Sequence, residues 1–423
     1  MTIHPYLPQD RLRALANNTP LPDRTSGSAL FADISGFTPL TESLQDQYGP
    51  RRGSEELTRH LETVYSALIA AVETCGGSVI SFAGDAILCW FDEMHGSAAP
   101  RTAASAFGLQ AAIRSFESIQ VGNHAVALTL KVTIASGTAR RFVAGDPEIM
   151  KFDALAGATV TRTSTAEHHA GKGEILLDEA SVTLLGDSIT VREWRRDEET
   201  GERFAVVTSF HALDAAPSLP TMLRMPPPTK LMPWMPYAVF ESEQYGQDSF
   251  LTKFRPCVAL FVRFMGIDYE SDAAESELDE FVQRLQKAAG GHDGMLLQIT
   301  IGDKGSYAYV NFGALSTHED NALRAVKTAL ELKNTTSLRL QVGIAQGIMR
   351  VGAYGGETRK VFGALGDAVN LAARLMTLAG EGEVLISNFV HQAVIDQFTF
   401  EPRPPLQVKG KAEPLPVFAV TGG

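Results

Sequence analysis

The sequence predicts an α+β protein made of two similar α/β sandwiches, each a mixed sheet covered by helices. Three observations carry this. The 423-residue chain exceeds one average core and suits two units of about 200 residues each. Segments of the first half recur in the second, as a gene duplication would leave them. "SALFADISGFTPL" faces "VALFVRFMGIDYE" 230 residues on, and the aspartate of "SFAGDAILCWF" faces that of "TIGDKGSYAYV" at 218. "LKVTIASG" faces "LQVGIAQG" at 210 and "GEILLD" faces "GEVLIS" at 209, so the second copy has the shorter loops. Within each half, strand and helix patterns alternate.

The elements follow in order. Residues 1–25 read as an N-terminal extension and 26–215 as the first unit. Residues 216–236 form a proline-rich, extended linker, because proline lacks the amide hydrogen that helices and central strands need. The second unit is 237–423. In the first unit, Leu57, Leu61, Val64, Leu68 and Val72 recur at helical spacing until Gly76-Gly77 stops the helix. "VALTLKVTIA" and "LRLQVGIA" are β-branched runs that read as strands. Leu278, Val282 and Leu285 mark one helix of the second unit, and Ala322, Val326 and Leu330 another. "EWRRDEETGER" reads as a solvated hairpin. "GAYGGETRK" lacks the GK[ST] of a P-loop and reads as a hairpin turn.

Composition excludes several function classes. A net charge of -12 disfavours a broad basic surface for nucleic acid. Cys75, Cys89 and Cys257 have neither zinc nor disulfide spacing and suit a reducing cytoplasm. No apolar run approaches the roughly 18 residues that span a bilayer, so no membrane partner is expected.

Asp33 ends an apolar strand, and Asp85 sits in the turn between two short strands after a glycine that permits a tight hairpin. Two carboxylates at strand ends repel unless a cation neutralises them, and an oxygen-only ligand set favours Mg²⁺ or Mn²⁺. Taken singly, each is equally readable as a turn residue. Asn370 and Arg374 lie four apart on a predicted helix and leave the same face, beside an apolar face of Val369, Ala372, Ala373 and Met376. Taken alone, that pair reads as exposed decoration.

Together "ALFADISGFTPLTE", "SFAGDAIL" and "GALGDAVNLAARLM" resemble the signature segments of class III nucleotidyl cyclases. The tandem arrangement is similar to the catalytic core of soluble adenylyl cyclases. The resemblance implies two ferredoxin-like domains paired head to tail as a pseudo-heterodimer within one chain, hence a monomer. It implies that ATP is cyclised to cyclic AMP with loss of pyrophosphate, using two Mg²⁺ or Mn²⁺ ions. Asp33, Asp85 and the main-chain carbonyl of Ile34 match the metal ligands. Asn370 matches the residue that orients the ribose, and Arg374 the one that neutralises charge on the α-phosphate. Lys409 and Lys131 match phosphate contacts, or are surface lysines.

The family reads its base with a lysine and an aspartate or threonine. The matching positions are near Gln298, or Ile299 if the alignment slips by one, and at Gly363; Asp367 and the backbone around Ala364 are further contacts. Gln298 offers both a donor and an acceptor, so ATP is the expected substrate and GTP the alternative. The halves have complementary losses. Arg263 stands where Asp33 would, although Asp303 matches Asp85, and Thr161 and Thr165 replace Asn370 and Arg374. One composite site and one silent twin follow. The family's bicarbonate lysine is Ser81 here, and its arginine aligns near Ser164, with Arg162 close by. Bicarbonate control is therefore not expected, and Arg263 suggests another anion or a structural salt bridge. A catalytically silent nucleotide-binding module is the alternative function, while a diguanylate-forming enzyme lacks its GGDEF-type run.

Overall fold

A computed structural model describes residues 3–211, 224–246, 253–302, 305–407 and 414–422. Its strands are β1 (Arg24–Ser35), β2 (Ser78–Ala83), β3 (Ala86–Asp92), β4 (Ile119–Val121), β5 (His124–Val126), β6 (Thr129–Ala144), β7 (Phe152–Ala156), β8 (Ile175–Asp178), β9 (Ile189–Arg196) and β10 (Arg203–Phe210). In the second half they are β11 (Lys253–Met265), β12 (Gly294–Gly302), β13 (Gly305–Phe312), β14 (Arg339–Gly355), β15 (Lys360–Leu365), β16 (Val384–Ser387), β17 (Thr399–Leu406) and β18 (Leu415–Gly422).

The duplication is visible in the topology. One sheet runs β2-β3-β1-β6-β8-β10-β9 with β7 on β6, and the other β12-β13-β11-β14-β16-β18-β17 with β15 on β14. The ladders of β6 with β8 and of β14 with β16 are parallel. Register fixes the equivalences: Asp33 lies opposite Lys131, and Arg263 opposite Gln341. The two α+β units are therefore copies of one plan.

Apolar helix stripes bury against these sheets. Val64, Tyr65, Leu68, Ile69 and Val72 of the Phe37–Thr74 helix sit in the first-half core with Leu30, Ile34 and Ile134. Leu278, Val282 and Leu285 do the same for the Ala274–Gly290 helix. Burying each such side chain contributes about 1.5–3 kcal/mol.

The cores are shared between halves. Phe142, Phe152 and Ala154 from the β6–β7 hairpin belong to the core of the second half, and Tyr354 from the end of β14 belongs to that of the first. Ile3, Leu7 and Leu12 of the N-terminal extension pack with Val239, Met349 and Phe362 of the second half. Buried ion pairs pin the extension down: Asp153 binds Arg11 and Arg141, and Arg141 also binds Asp10.

Three expectations are corrected. The Leu57–Val72 helix begins far earlier, at Phe37, and kinks at Gly49 (φ 79°); Pro39 lies in its first turn, where proline removes no hydrogen bond. Within the segment expected to be extended, Pro228–Leu231 is a helical turn followed by a 3₁₀ turn, Met232–Trp234, because proline's fixed φ suits a helix start. The buried face of the Asp367–Leu378 helix is Ala368, Ala372, Leu375 and Met376, with Val369 and Ala373 only half-buried. Among the described residues no helix is long and apolar enough to cross a membrane.

Candidate active site

The first cluster forms at the ends of central strands. β1 is flanked by β3 and β6, and Asp33 lies opposite Ala86 and Lys131. The β2–β3 hairpin closes at Ala83 and Ala86 over Gly84 (φ 66°) and Asp85. The Ile34 amide donates to the Asp85 carbonyl at 3.4 Å, which ties the hairpin turn to the end of β1. Tyr65 donates its hydroxyl to the Gly84 carbonyl at 3.1 Å. Burial, then the field of Tyr354, Asp85 and Asp33, pushes the Tyr65 hydroxyl far above its ordinary pKa.

By donor chemistry, the two carboxylates and the Ile34 main-chain carbonyl are oxygen-only groups of the kind that would suit Mg²⁺ or Mn²⁺. Among the described residues no group of three or more His, Cys, Asp or Glu is placed to hold a metal ion.

The second cluster lies on the Asp367–Leu378 helix. This helix rests directly on β14, where a Cβ on Gly343 would stand 2.1 Å from the Ala372 carbonyl oxygen. Only glycine allows that approach. Asn370 and Arg374 emerge on the exposed side, and among the described residues neither side chain has a hydrogen-bonding or ionic partner. Asp367 is exposed in the first helical turn, where the helix dipole favours a carboxylate.

Between the halves, the Gln298 amide nitrogen donates to the Phe82 carbonyl at 2.7 Å and to the Thr300 hydroxyl at 2.8 Å. Both of its N–H groups are thereby used, leaving the amide oxygen as an acceptor. Gly363 is buried, and the Tyr354 ring stands 2.8 Å from where its Cβ would be. The phenol thus fills the space of a side chain at 363. Burial pushes its hydroxyl pKa up to about 12, so it stays a donor. The Ala364 carbonyl accepts from the Tyr309 hydroxyl at 3.4 Å. Ser81, Phe82, Gln298, Tyr354, Arg359 and Gly363 are walls of an inter-half cleft of about 110 Å³. Asp33, Asp85, Asn370 and Arg374 are not among its walls.

The remaining positions are placed as follows. Lys131 is ion-paired with Glu167 at 2.8 Å, which occupies its ammonium. Lys409 and Asp303 lie outside the described residues. The β12–β13 ladder runs two rungs, Ile301–Ser306 and Gly302–Gly305, past Thr300 and Tyr307, the pair level with Ala83 and Ala86. Arg263 Nη1 donates to Gln341 at 3.2 Å. Its Nε is buried, and among the described residues it has no hydrogen-bond partner and Arg263 forms no salt bridge. The Thr161 and Thr165 hydroxyls donate to carbonyls one turn back in their own helix. Arg162 is held by Asp178 at 3.0 Å.

Sequence reading missed Tyr65, Tyr354 and Arg359. Tyr65 lies within the helical stripe of residues 57–72, and Tyr354 and Arg359 within the stretch that reads as a hairpin turn.

Known proteins resemble this chain in sequence and in fold. The sequence pattern of the adenylate and guanylate cyclase catalytic domain matches residues 23–202 and 278–421. Adenylate cyclase type 10 of Homo sapiens is 24% identical, over 95% of this chain and 27% of its own length. The Rattus norvegicus protein of the same name is 25% identical, over 94% of this chain and 26% of its own. The chain thus spans about a quarter of the length of these relatives. A class III adenylyl cyclase-like ATP-binding protein from Pseudomonas aeruginosa shares the fold, with a TM-score of 0.55 at 13% identity over 91% of this chain and 93% of that one. With the family pattern covering both halves, the chain belongs to the adenylate and guanylate cyclase catalytic domain family.

Proposed function

We propose that the chain is an adenylate cyclase core with a single composite site, built from the acidic cluster of the first half and the Asp367–Leu378 helix of the second. The observation that carries this is the Gln298–Phe82 hydrogen bond, which fastens the second half's base-side strand to the hairpin bearing Asp85. The ribose 3′-hydroxyl oxygen of ATP attacks the α-phosphorus and forms the new P–O bond. The bond between the α-phosphorus and the oxygen bridging to the β-phosphate breaks, the hydroxyl proton passes to solvent water, and pyrophosphate leaves with the bridging oxygen.

Asp33, Asp85 and the Ile34 carbonyl would hold two Mg²⁺ or Mn²⁺ ions, which supply charge neutralisation and a more acidic hydroxyl. Asn370 orients the ribose. Arg374 meets the charge developing on the α-phosphate, a contribution whose removal typically costs on the order of 100-fold in rate. Lys409 serves the outer phosphates; Lys131, already paired with Glu167, contributes less. Gln298 presents its carbonyl to the base and Tyr354 its hydroxyl, in place of the side chain that Gly363 lacks. The working unit is one chain, and its unpaired cysteines suit the cytoplasm.

A silent nucleotide-binding module is the second reading, favoured by the missing side chain at Gly363. The deciding experiment incubates the protein with ATP or GTP and Mg²⁺ or Mn²⁺ and separates the products. Cyclic AMP supports the enzyme, whereas nucleotide bound but unchanged supports the module.

A further inference from the structure

Arg359 lies in the turn between β14 and β15 and is 4% exposed. Its Nε donates to the Val79 carbonyl and its Nη2 to the Ile80 carbonyl, both at 2.9 Å. Its Nη1 donates to the Tyr6 carbonyl at 3.1 Å and to the Lys360 carbonyl at 2.7 Å. The guanidinium also covers the Phe82 ring at 5.4 Å. Four of its five N–H groups thus serve main-chain carbonyls of the N-terminal extension, the first half and the second half. Among the described residues it has no carboxylate in salt-bridge contact, and burial draws its pKa down to about 10, so the charge is held there at a cost.

What it caps is irregular. β2 is an edge strand, and its pairing steps from Val79–Cys89 to Ser81–Leu88, which leaves Ile80 as the extra residue of a bulge. A bulge re-aims the strand beyond it and disrupts the local ladder, and a buried carbonyl without a donor costs about 1–3 kcal/mol. Asp85 follows Ile80 by five residues. On the other side of Arg359, β15 runs directly into Gly366 and the helix of Asn370 and Arg374. One guanidinium touches the roots of both clusters.

The silent side differs. β12 carries a matching bulge between Leu296 and Gln298, but the corresponding turn of the first half, Gly145–Lys151, contains no arginine. If the arginine were required merely to fasten one half to the other, both sides would call for it.

We propose that Arg359 is a positioning residue for the composite site, fixing the bulge of β2, and with it the aim of the Gly84–Asp85 turn, against the strand that leads to Asn370 and Arg374. The proposal rests on the cyclase reading above. It makes the N-terminal extension part of the arrangement, since Tyr6 supplies one of the four carbonyls.

The test uses the full chain with Arg359→Ala and Arg359→Lys. For Arg359→Ala, kcat falls on the order of 100-fold, the scale for roughly 1 Å of misplacement. KM for nucleotide stays within about threefold, since transition-state and not ground-state contacts are lost. Hydrogen exchange accelerates in peptides 78–92 and 355–366 and is unchanged in 189–210. Millimolar guanidinium ion, far below denaturing concentrations, restores part of the rate and of the protection to Arg359→Ala, while ammonium does not. Arg359→Lys, with one point charge for a planar fork, loses rate to an intermediate degree and serves alone should the alanine variant fail to fold.

A wild-type kcat, a loss confined to KM, or exchange that rises alike along the whole chain would overturn the proposal. Should the wild-type protein form no cyclic nucleotide, the function reading fails on that ground, and the exchange pattern still decides the role of Arg359.

Discussion

Tyr65 donates its hydroxyl to the Gly84 carbonyl at 3.1 Å, so a residue of the long first-half helix holds the turn that carries Asp85. The ring sits edge-on to Phe82 at 5.3 Å, and Phe82 in turn meets Tyr354 at 6.0 Å. Tyr65→Phe keeps this packing and removes only the donor. It should cost about 1 kcal/mol in thermal unfolding. The Mg²⁺ concentration for half-maximal rate should rise severalfold, read by a metal titration of cyclase activity.

Gln298→Leu keeps volume but leaves the Phe82 carbonyl without its inter-half donor. A loss of about 1–3 kcal/mol is expected. The ratio of kcat/KM for ATP over GTP should fall, because the carbonyl proposed to face the base is gone. Measuring that ratio in both proteins checks the assignment.

Gly343→Ala pushes a methyl group into the backbone of the Asp367–Leu378 helix, 2.1 Å from the Ala372 carbonyl oxygen and 2.2 Å from the Met376 nitrogen. Overpacking of this kind costs about 1–3 kcal/mol. Because the strained helix carries Asn370 and Arg374, kcat should fall well beyond what the unfolded fraction explains. Thermal unfolding and steady-state kinetics on the same preparation separate the two effects.

Asp153 lies between Arg11 and Arg141 and is nearly fully buried. Burial alone would raise its carboxyl, but Arg141 and then Arg11 override this and hold it well below the usual carboxylate range. A carboxyl depressed in the folded state stabilises fully above its unfolded pKa of about 3.9 and loses that contribution as pH falls through the folded value. Asp153→Asn leaves two buried guanidinium groups short of a partner and should cost about 3–5 kcal/mol near neutrality. Its denaturant midpoint should fall less steeply on acidification than that of the wild-type protein.

Much of this was legible in the sequence. The strand-end position of Asp33, the glycine turn before Asp85 and the four-residue spacing of Asn370 and Arg374 are local signals, and the duplicated segments predicted two copies of one sheet. Gly49 obscured the helix that starts at Phe37, because a glycine followed by proline reads as a break and not as a kink within one long element. The inner face of the Asp367–Leu378 helix was misjudged because its packing against β14 at Gly343, not its own periodicity, decides which side is buried. Arg359 was illegible for a different reason. It acts on carbonyls 279 and 280 residues away in the chain, and main-chain acceptors leave no mark in residue identities.

The most direct measurement compares two pairs of variants for cyclic nucleotide formation: Asp85→Ala and Arg374→Ala at the composite site, and Arg263→Ala and Thr165→Ala at its twin. Loss of product in the first pair, with folding intact, and retention in the second is the predicted result. Product formed at the wild-type rate by Arg374→Ala, or lost equally in all four, would contradict a single site shared between the halves.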